Sequence, residues 1–182
     1  MSSMQFLKTE MAAAIGRGVR QCVVIGSRAD LQEALNYGPE QPLRVFAVDD
    51  EQQSAELPED LSAVLERSEF DRLKASLFVW LGGAKYRTVE AAMSSLAFIA
   101  SLPRGSGVVL DYAERSYLGS LTHTALDALA TRVTCAGDNV KQLIQPQAVT
   151  AMLKGFGFQV IVDFAQEDLL PGCNGHLVST LV

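Results

Sequence analysis

The sequence is short of the residues that build metal and redox sites. It contains two histidines, His123 and His176, and three cysteines, Cys22, Cys135 and Cys173, and no two of the cysteines have CxxC spacing. A structural zinc site needs four well-spaced Cys or His ligands, so this class of site is not expected. We interpret the cysteines as free thiols in a reducing compartment, and Cys22, which lies in an apolar run, as a core residue.

Long apolar runs and excess positive charge are also absent. No segment approaches the ~20 apolar residues of a membrane-spanning helix, and residues 1–14 lack the apolar stretch of a signal peptide. The formal net charge of −6 disfavours a broad surface for nucleic acid or anionic lipid. These absences predict a cytoplasmic protein with neither nucleic-acid nor membrane partners.

The composition is sufficient for a packed core. The chain has 182 residues, of which 48% are hydrophobic and 20% charged, as is typical of a soluble globular domain. We therefore expect a single domain over residues 1–182.

Apolar runs alternate with segments of helical periodicity along the chain. The predicted strands are 21–25, 43–48, 77–81, 108–110, 158–164 and 176–182, and the predicted helices are 4–15, 30–37, 88–101, 118–130 and 146–155. Residues 61–73 suit a helix, but 61–66 would also suit a weak strand. This alternation predicts an α/β fold, with a mostly parallel sheet covered by helices on both faces. About a dozen residues join the last two strands, too few for a crossover helix, so the last strand should run antiparallel.

Ligands of an open α/β sheet bind at the carboxyl ends of its strands. At the first strand, Gly26 allows close approach of a backbone, and the following helix start favours an anionic group, although a plain turn would look the same. The dinucleotide fingerprint G-x-G-x-x-G is missing, because Arg28 and Leu31 replace its second and third glycines. A nicotinamide-dependent oxidoreductase is therefore a weak hypothesis.

Three further strand ends carry candidate site residues. Asp49 follows Gly26 at close to the ~20-residue spacing of an acid that binds ribose hydroxyls, but it could also cap a loop with Asp50. Tyr86 follows paired glycines and could present its hydroxyl to a substrate. Asp111 ends another strand and is a weaker signal. His176, inside the last predicted strand, is interpreted as structural.

Several stretches of the chain form an ordered set of motifs. The stretches are 18–26, 45–49, 78–88, 98–106, 109–112 and 155–160. Together they resemble the leucine carboxyl methyltransferase-like family of bacterial S-adenosylmethionine-dependent methyltransferases. The resemblance implies a Rossmann-like sheet of seven strands with the last one antiparallel, and S-adenosylmethionine as cofactor.

The resemblance also implies a cofactor site and an activity. Gly26 and Ser27 would lie near the methionine moiety, Asp49 on the ribose, Leu81 and Gly82 along the pocket, and Glu66 or Ser68 towards the adenine. The full set of expected cofactor-binding residues is Gly26, Ser27, Asp30, Asp49, Asp50, Glu66, Leu81 and Gly82. Tyr86 and Asp111 are the expected catalytic residues on the substrate side. The expected reaction is methyl transfer, chiefly O-methylation, to a small molecule or a carboxylate.

The chain departs from the family at its first motif. The family has a glycine, a small residue and a glycine before an Asp-Thr-Arg run, whereas this chain has Ser27, Arg28 and Ala29 after Gly26. Most of the family's N-terminal segment, which encloses cofactor and substrate, has no counterpart here, and a second subunit in a homo-oligomer would be one replacement. A second hypothesis follows, in which the domain is a non-catalytic binding or assembly module with a degenerate cofactor site.

Overall fold

Strands and helices alternate along the chain, as the apolar pattern predicts. The structure, a computed structural model, describes residues 3–26, 43–49, 60–80, 89–114, 143–144, 146–170 and 173–182. Its elements are α1 (Ser3–Gly16), β1 (Gln21–Gly26), β2 (Arg44–Asp49), α2 (Leu61–Glu66), β3 (Ser76–Trp80), α3 (Val89–Ala100), β4 (Gly107–Glu114), β5 (Leu143–Ile144), α4 (Pro146–Gly155), β6 (Val160–Leu170) and β7 (Cys173–Leu181).

The strands form one mixed sheet in the order β2-β1-β3-β4-β7-β6. Strands β1 to β4 are parallel, and β7 runs antiparallel between β4 and β6. The predicted parallel sheet with an antiparallel last strand is therefore confirmed. The two-residue β5 pairs with the end of β4, off the main path of six strands. Seven full strands, as the family resemblance implies, are not confirmed.

The ambiguous segment after residue 60 is helical at its start. Asp60 caps α2, because its carboxylate accepts a hydrogen bond from the Ser62 N–H at 3.2 Å. Leu61 and Leu65, one turn apart, are both buried, which is the spacing of an amphipathic helix. The alternative of a weak strand over 61–66 is therefore wrong.

Three of the other predicted helices are confirmed as α1, α3 and α4, with bounds close to the predicted ones. The predicted helices at 30–37 and 118–130 lie outside the described residues. Gly18, with a φ of 94°, allows the turn from α1 into β1. Among the helices of the described segments, none is both long and apolar enough to cross a membrane.

The core has two layers, one on each face of the sheet. On one face, α1 packs Phe6, Leu7 and Met11 against the strands, together with Cys22 and Val79. On the other face, α2, α3 and α4 bury a larger cluster, whose fully buried members are Val23, Ile25, Leu61, Phe78, Ile99, Val108 and Leu153. Every residue of β1 and β3 is buried, which explains why both strands are apolar after their first residues, Gln21 and Ser76.

The loop after α2 fastens the amino-terminal ends of the parallel strands. Gln21 at the start of β1 donates to the Asp71 carbonyl at 2.9 Å and to Ser76 Oγ at 3.1 Å, and it accepts from the Asp71 N–H at 2.9 Å. Hydrogen bonds from the Leu73 N–H and the Lys74 side chain lower the pKa of Asp71. Phe70 of the same loop packs edge-on against Phe46 of β2, with ring centroids 5.6 Å apart. The loop thereby ties β1, β2 and β3 together at this end.

Gly107 lets β7 approach β4 closely. A Cβ atom at this position would lie 2.2 Å from the Thr180 backbone oxygen. The backbone cannot move aside easily, because Thr180 lies in β7 between β4 and β6.

We expect Gly107→Ala to lower the free energy of unfolding by about 2 kcal/mol or more, through forced separation of β4 and β7. Gly155→Ala is the matched control, because a Cβ atom there meets nothing within 4 Å. It should change stability by less than about 1 kcal/mol. Urea unfolding followed by circular dichroism measures the free energy of unfolding of both variants. Equal values for the two variants would contradict the close approach of β7 to β4.

Cys22 is a core residue, as its apolar surroundings in the sequence predict. It is fully buried, and burial raises the pKa of its thiol to about 12. The thiol is therefore protonated and unreactive at neutral pH.

We expect iodoacetamide at pH 8 to leave Cys22 unlabelled in the native protein and to label it fully in urea. Peptide mass spectrometry separates Cys22 from Cys135 and Cys173. Native labelling of Cys22 at the rate of a free cysteine would contradict its burial in the core.

Candidate functional site

A row of apolar residues crosses the sheet just below its carboxyl-terminal edge. The strand registers align Val48 with Ile25, Ile25 with Trp80, Trp80 with Leu110 and Leu110 with Val178. Four of these residues belong to the buried core cluster on the face of α2, α3 and α4, and Leu110, which is partly buried, packs against it. Packing of this row holds the ends of the strands at one level, so the residues that follow it have fixed positions relative to one another.

The next row towards the carboxyl ends carries three of the predicted site residues. Gly26 is aligned with Asp49 of the neighbouring strand. Asp111 follows Leu110 directly and is therefore at the same level, on the third strand from β2. At about 4.8 Å per strand, Asp111 lies about 10 Å from Gly26 and about 14 Å from Asp49. The fold thus brings these three residues to one edge.

A glycine and two acids occupy this level of the sheet. Gly26 is the last residue of β1 and adds no side chain beyond Cα, so a ligand can contact the strand end closely. Asp49 is the neighbouring residue in the register, and a carboxylate accepts hydrogen bonds from paired hydroxyl groups. Asp111, on β4, is partly exposed and is the second acid at this level.

The remaining predicted contacts divide into two groups. Ser27, Asp30, Asp50, Leu81, Gly82 and Tyr86 lie outside the described residues and stay predictions. Glu66 is described, but it is not brought to this edge. It ends α2 and pairs with Arg72 at 2.9 Å, in the loop that contacts the amino-terminal ends of the strands. Glu66 is thus at the amino-terminal end of the strands, opposite to the proposed site, and this position argues against an adenine contact.

A histidine–aspartate pair that the sequence pattern does not reveal lies at the same edge. His176 Nδ1 lies 2.6 Å from Asp163 Oδ1, across β7 and β6. The His176 side chain is 8% exposed and that of Asp163 is 25% exposed. His176 is aligned with Tyr112 of β4, two residues beyond the apolar row at Leu110. The pair therefore belongs to the carboxyl-terminal edge of β4.

One signal in the sequence could have pointed to this pair. Asp163 interrupts an apolar strand, and a polar residue at a sheet position is usually held by a partner. The partner could not be found without the register, because His176 and Asp163 lie on different strands. In the parts of the chain that the structure describes, no three His, Cys, Asp or Glu side chains gather as a metal site.

No protein-family model and no curated protein matches the chain in sequence. Solved structures do match its fold. A SAM-dependent methyltransferase from Archaeoglobus fulgidus aligns over 100% of this chain and 95% of its own, with a TM-score of 0.57 and 14% identity. The 1,6-didemethyltoxoflavin-N1-methyltransferase of Burkholderia thailandensis, solved with that compound and S-adenosylhomocysteine, aligns over 99% and 78%, with a TM-score of 0.57 and 15% identity.

A third solved structure agrees with these two. The magnesium protoporphyrin IX methyltransferase of Synechocystis PCC 6803, with bound SAH, aligns over 98% of this chain and 82% of its own, with a TM-score of 0.50 and 13% identity. At such low identities the similarity concerns the fold. The chain therefore has the Rossmann-like fold of the S-adenosylmethionine-dependent methyltransferases.

Proposed function

We propose that this protein is an S-adenosylmethionine-dependent methyltransferase that acts on a small molecule. The observation that carries the proposal is the alignment of Gly26 and Asp49 at the carboxyl-terminal edge of a methyltransferase-like sheet. The solved relatives in fold include proteins crystallised with S-adenosylhomocysteine, the product that the cofactor leaves after methyl transfer.

The cofactor would be held by residues of β1 and β2 and of the segments that follow β1, β2 and β3. Gly26 and Ser27 would contact the methionine moiety, Asp49 would accept hydrogen bonds from the ribose hydroxyls, and Leu81 and Gly82 would line the pocket. Asp30 and Asp50 are proposed as further contacts. When bound, the cofactor supplies an electrophilic methyl group on a positively charged sulfur.

The protein's own contribution is positioning. Methyl transfer is an in-line displacement, so holding the acceptor at the correct distance and angle accounts for most of the acceleration. Asp111 on β4 and Tyr86 are proposed to hold the acceptor. The buried row that contains Ile25, Trp80 and Leu110 keeps the underlying strands rigid and dry.

We further propose membership of the leucine carboxyl methyltransferase-like family, with O-methylation as the reaction. The support is the ordered set of motifs along the sequence, from residues 18–26 to 155–160. The altered loop after Gly26 is where this chain differs most from that family.

We expect S-adenosylmethionine and S-adenosylhomocysteine to bind with micromolar Kd in a calorimetric titration. Asp49→Ala should weaken binding about 10- to 100-fold, because a hydrogen bond to a charged group contributes about 1.5–3 kcal/mol. Glu69→Ala is the matched control. Glu69→Ala also removes one negative charge, but from an exposed ion pair with Arg44 at the opposite end of β2. The Kd of this variant for S-adenosylmethionine should therefore stay within twofold of the wild-type value.

Two other outcomes would contradict parts of this proposal. No binding at millimolar ligand by well-folded protein would refute the proposal and favour the non-catalytic binding module. Equal Kd values for Asp49→Ala and the wild type would refute the placement of the ribose.

We also expect the cofactor to change the fluorescence of the protein. Trp80 is the single tryptophan and is 5% exposed in the apolar row next to Ile25, directly below the proposed site. A titration with S-adenosylhomocysteine should change its emission intensity with the calorimetric Kd. Unchanged emission during calorimetrically detected binding would place the cofactor away from β1 and β3.

A further inference from the structure

The histidine–aspartate pair at the carboxyl-terminal edge has the chemistry of a general base. An ionised carboxylate only accepts hydrogen bonds, so Nδ1 of His176 must donate to Asp163 across their 2.6 Å contact. This contact fixes the tautomer and makes Nε2 the nitrogen that takes up a proton. The carboxylate also stabilises the imidazolium that forms.

The position of the pair suits an acceptor bound above β4. β7 is the strand next to β4, and it is two strands, about 10 Å, from β3. His176 is aligned with Tyr112, one residue beyond the level of Asp111. The cofactor-side residues Gly26 and Asp49 are on the other side of β3. Asp111 and His176 are on opposite faces of the sheet, because their register positions differ by one residue. An acceptor held across the carboxyl ends of β3 and β4, and not over one face, would therefore lie between the cofactor and His176.

His176 is shielded from bulk water, whereas Asp163, on the edge strand β6, is partly exposed. The His176 side chain is only 8% exposed. It lies on the face of the sheet that carries Leu110 and Val178. The imidazole is thus held in one orientation by its carboxylate partner while the partner itself reaches solvent.

We propose that His176, positioned by Asp163, is the general base of the methyl transfer, and that the acceptor carries a hydroxyl, phenol or N–H group. This inference rests on the proposed function. A lone pair of the acceptor oxygen or nitrogen forms the bond to the methyl carbon, and the bond from that carbon to sulfur breaks with its electron pair left on sulfur. The acceptor proton passes to Nε2 of His176. The products are the methylated acceptor and S-adenosylhomocysteine.

A carboxylate acceptor would not need this base, because it is already ionised at neutral pH. The pair therefore discriminates between acceptor classes. Other titratable residues near His176 must be separated from it in any pH profile. Asp163 faces it from β6, and Tyr112 and Glu114 occupy the adjacent alternate positions of β4.

The first experiment does not depend on activity. Long-range ¹H–¹⁵N NMR of the wild type reports the tautomer and the titration of each imidazole, and His123→Gln assigns the two histidines. We expect the Nδ1–H tautomer for His176, and its loss in Asp163→Asn. The Nε2–H tautomer in the wild type would overturn the proposal.

The second experiment measures turnover. After S-adenosylmethionine binding has been established by calorimetry, the protein is supplied with a phenol, an imidazole or benzoate, and S-adenosylhomocysteine formation is followed. We expect turnover with the phenol or the imidazole. His176→Gln should lower kcat about 100-fold or more, and Asp163→Asn less, with the cofactor Kd within twofold. In the wild type, log kcat should rise with pH at unit slope through the titration of His176 seen by NMR.

Several results would overturn the inference and leave the proposed function intact. These are turnover with benzoate alone, a His176→Gln kcat within threefold of the wild type, or no turnover by protein that binds the cofactor. If His176→Gln does not fold, the wild-type pH profile and tautomer decide alone. Failure of the wild type to bind S-adenosylmethionine would instead refute the proposed function, and it is measured before any acceptor is added.

Discussion

Backbone hydrogen bonds align Ile25 of β1 with Val48 on one side and Trp80 on the other, and the carboxyl-terminal edge of the sheet depends on that alignment. A shift by one residue would send each side chain to the opposite face and expose the buried row. Because both faces of β1 and β3 are covered by helices, such a shift would cost the burial of several large side chains. The core thus determines that Gly26, Asp49 and Asp111 lie at the same level of the sheet.

The two ends of the sheet have different tasks. At the amino-terminal end, Gln21 and the loop around Asp71 satisfy backbone groups and tie three strands together. Glu66 and Arg72 belong to this structural end. At the carboxyl-terminal end, acids and a histidine replace the apolar residues of the core. This division is expected for an open α/β sheet, in which the loops at one end are available for ligands.

The antiparallel β7 gives the edge a feature that a purely parallel sheet would lack. Because β7 runs against β4, its beginning, and not its end, lies beside the carboxyl end of β4. His176 is thereby brought to the site from a strand near the end of the chain, and β6 supplies Asp163 from the far side. Gly107 permits this arrangement by letting the β7 backbone come close.

The sequence by itself determined the order of elements, the antiparallel last strand and the strand ends at Gly26 and Asp49, because a strand buried on both faces is a continuous apolar run and a short connection leaves no room for a crossover helix. It ended β4 too early, at Asp111, since the strand continues to Glu114. It left residues 61–66 open between helix and strand, since a short apolar segment suits both periods; packing of Leu61 and Leu65 on the sheet decided for the helix. Only the tertiary structure shows that Glu66 lies near the amino-terminal ends of the strands and that His176 pairs with Asp163. Both facts depend on which strands are neighbours and in what register, and hydrogen bonds between distant segments decide these, not the local sequence.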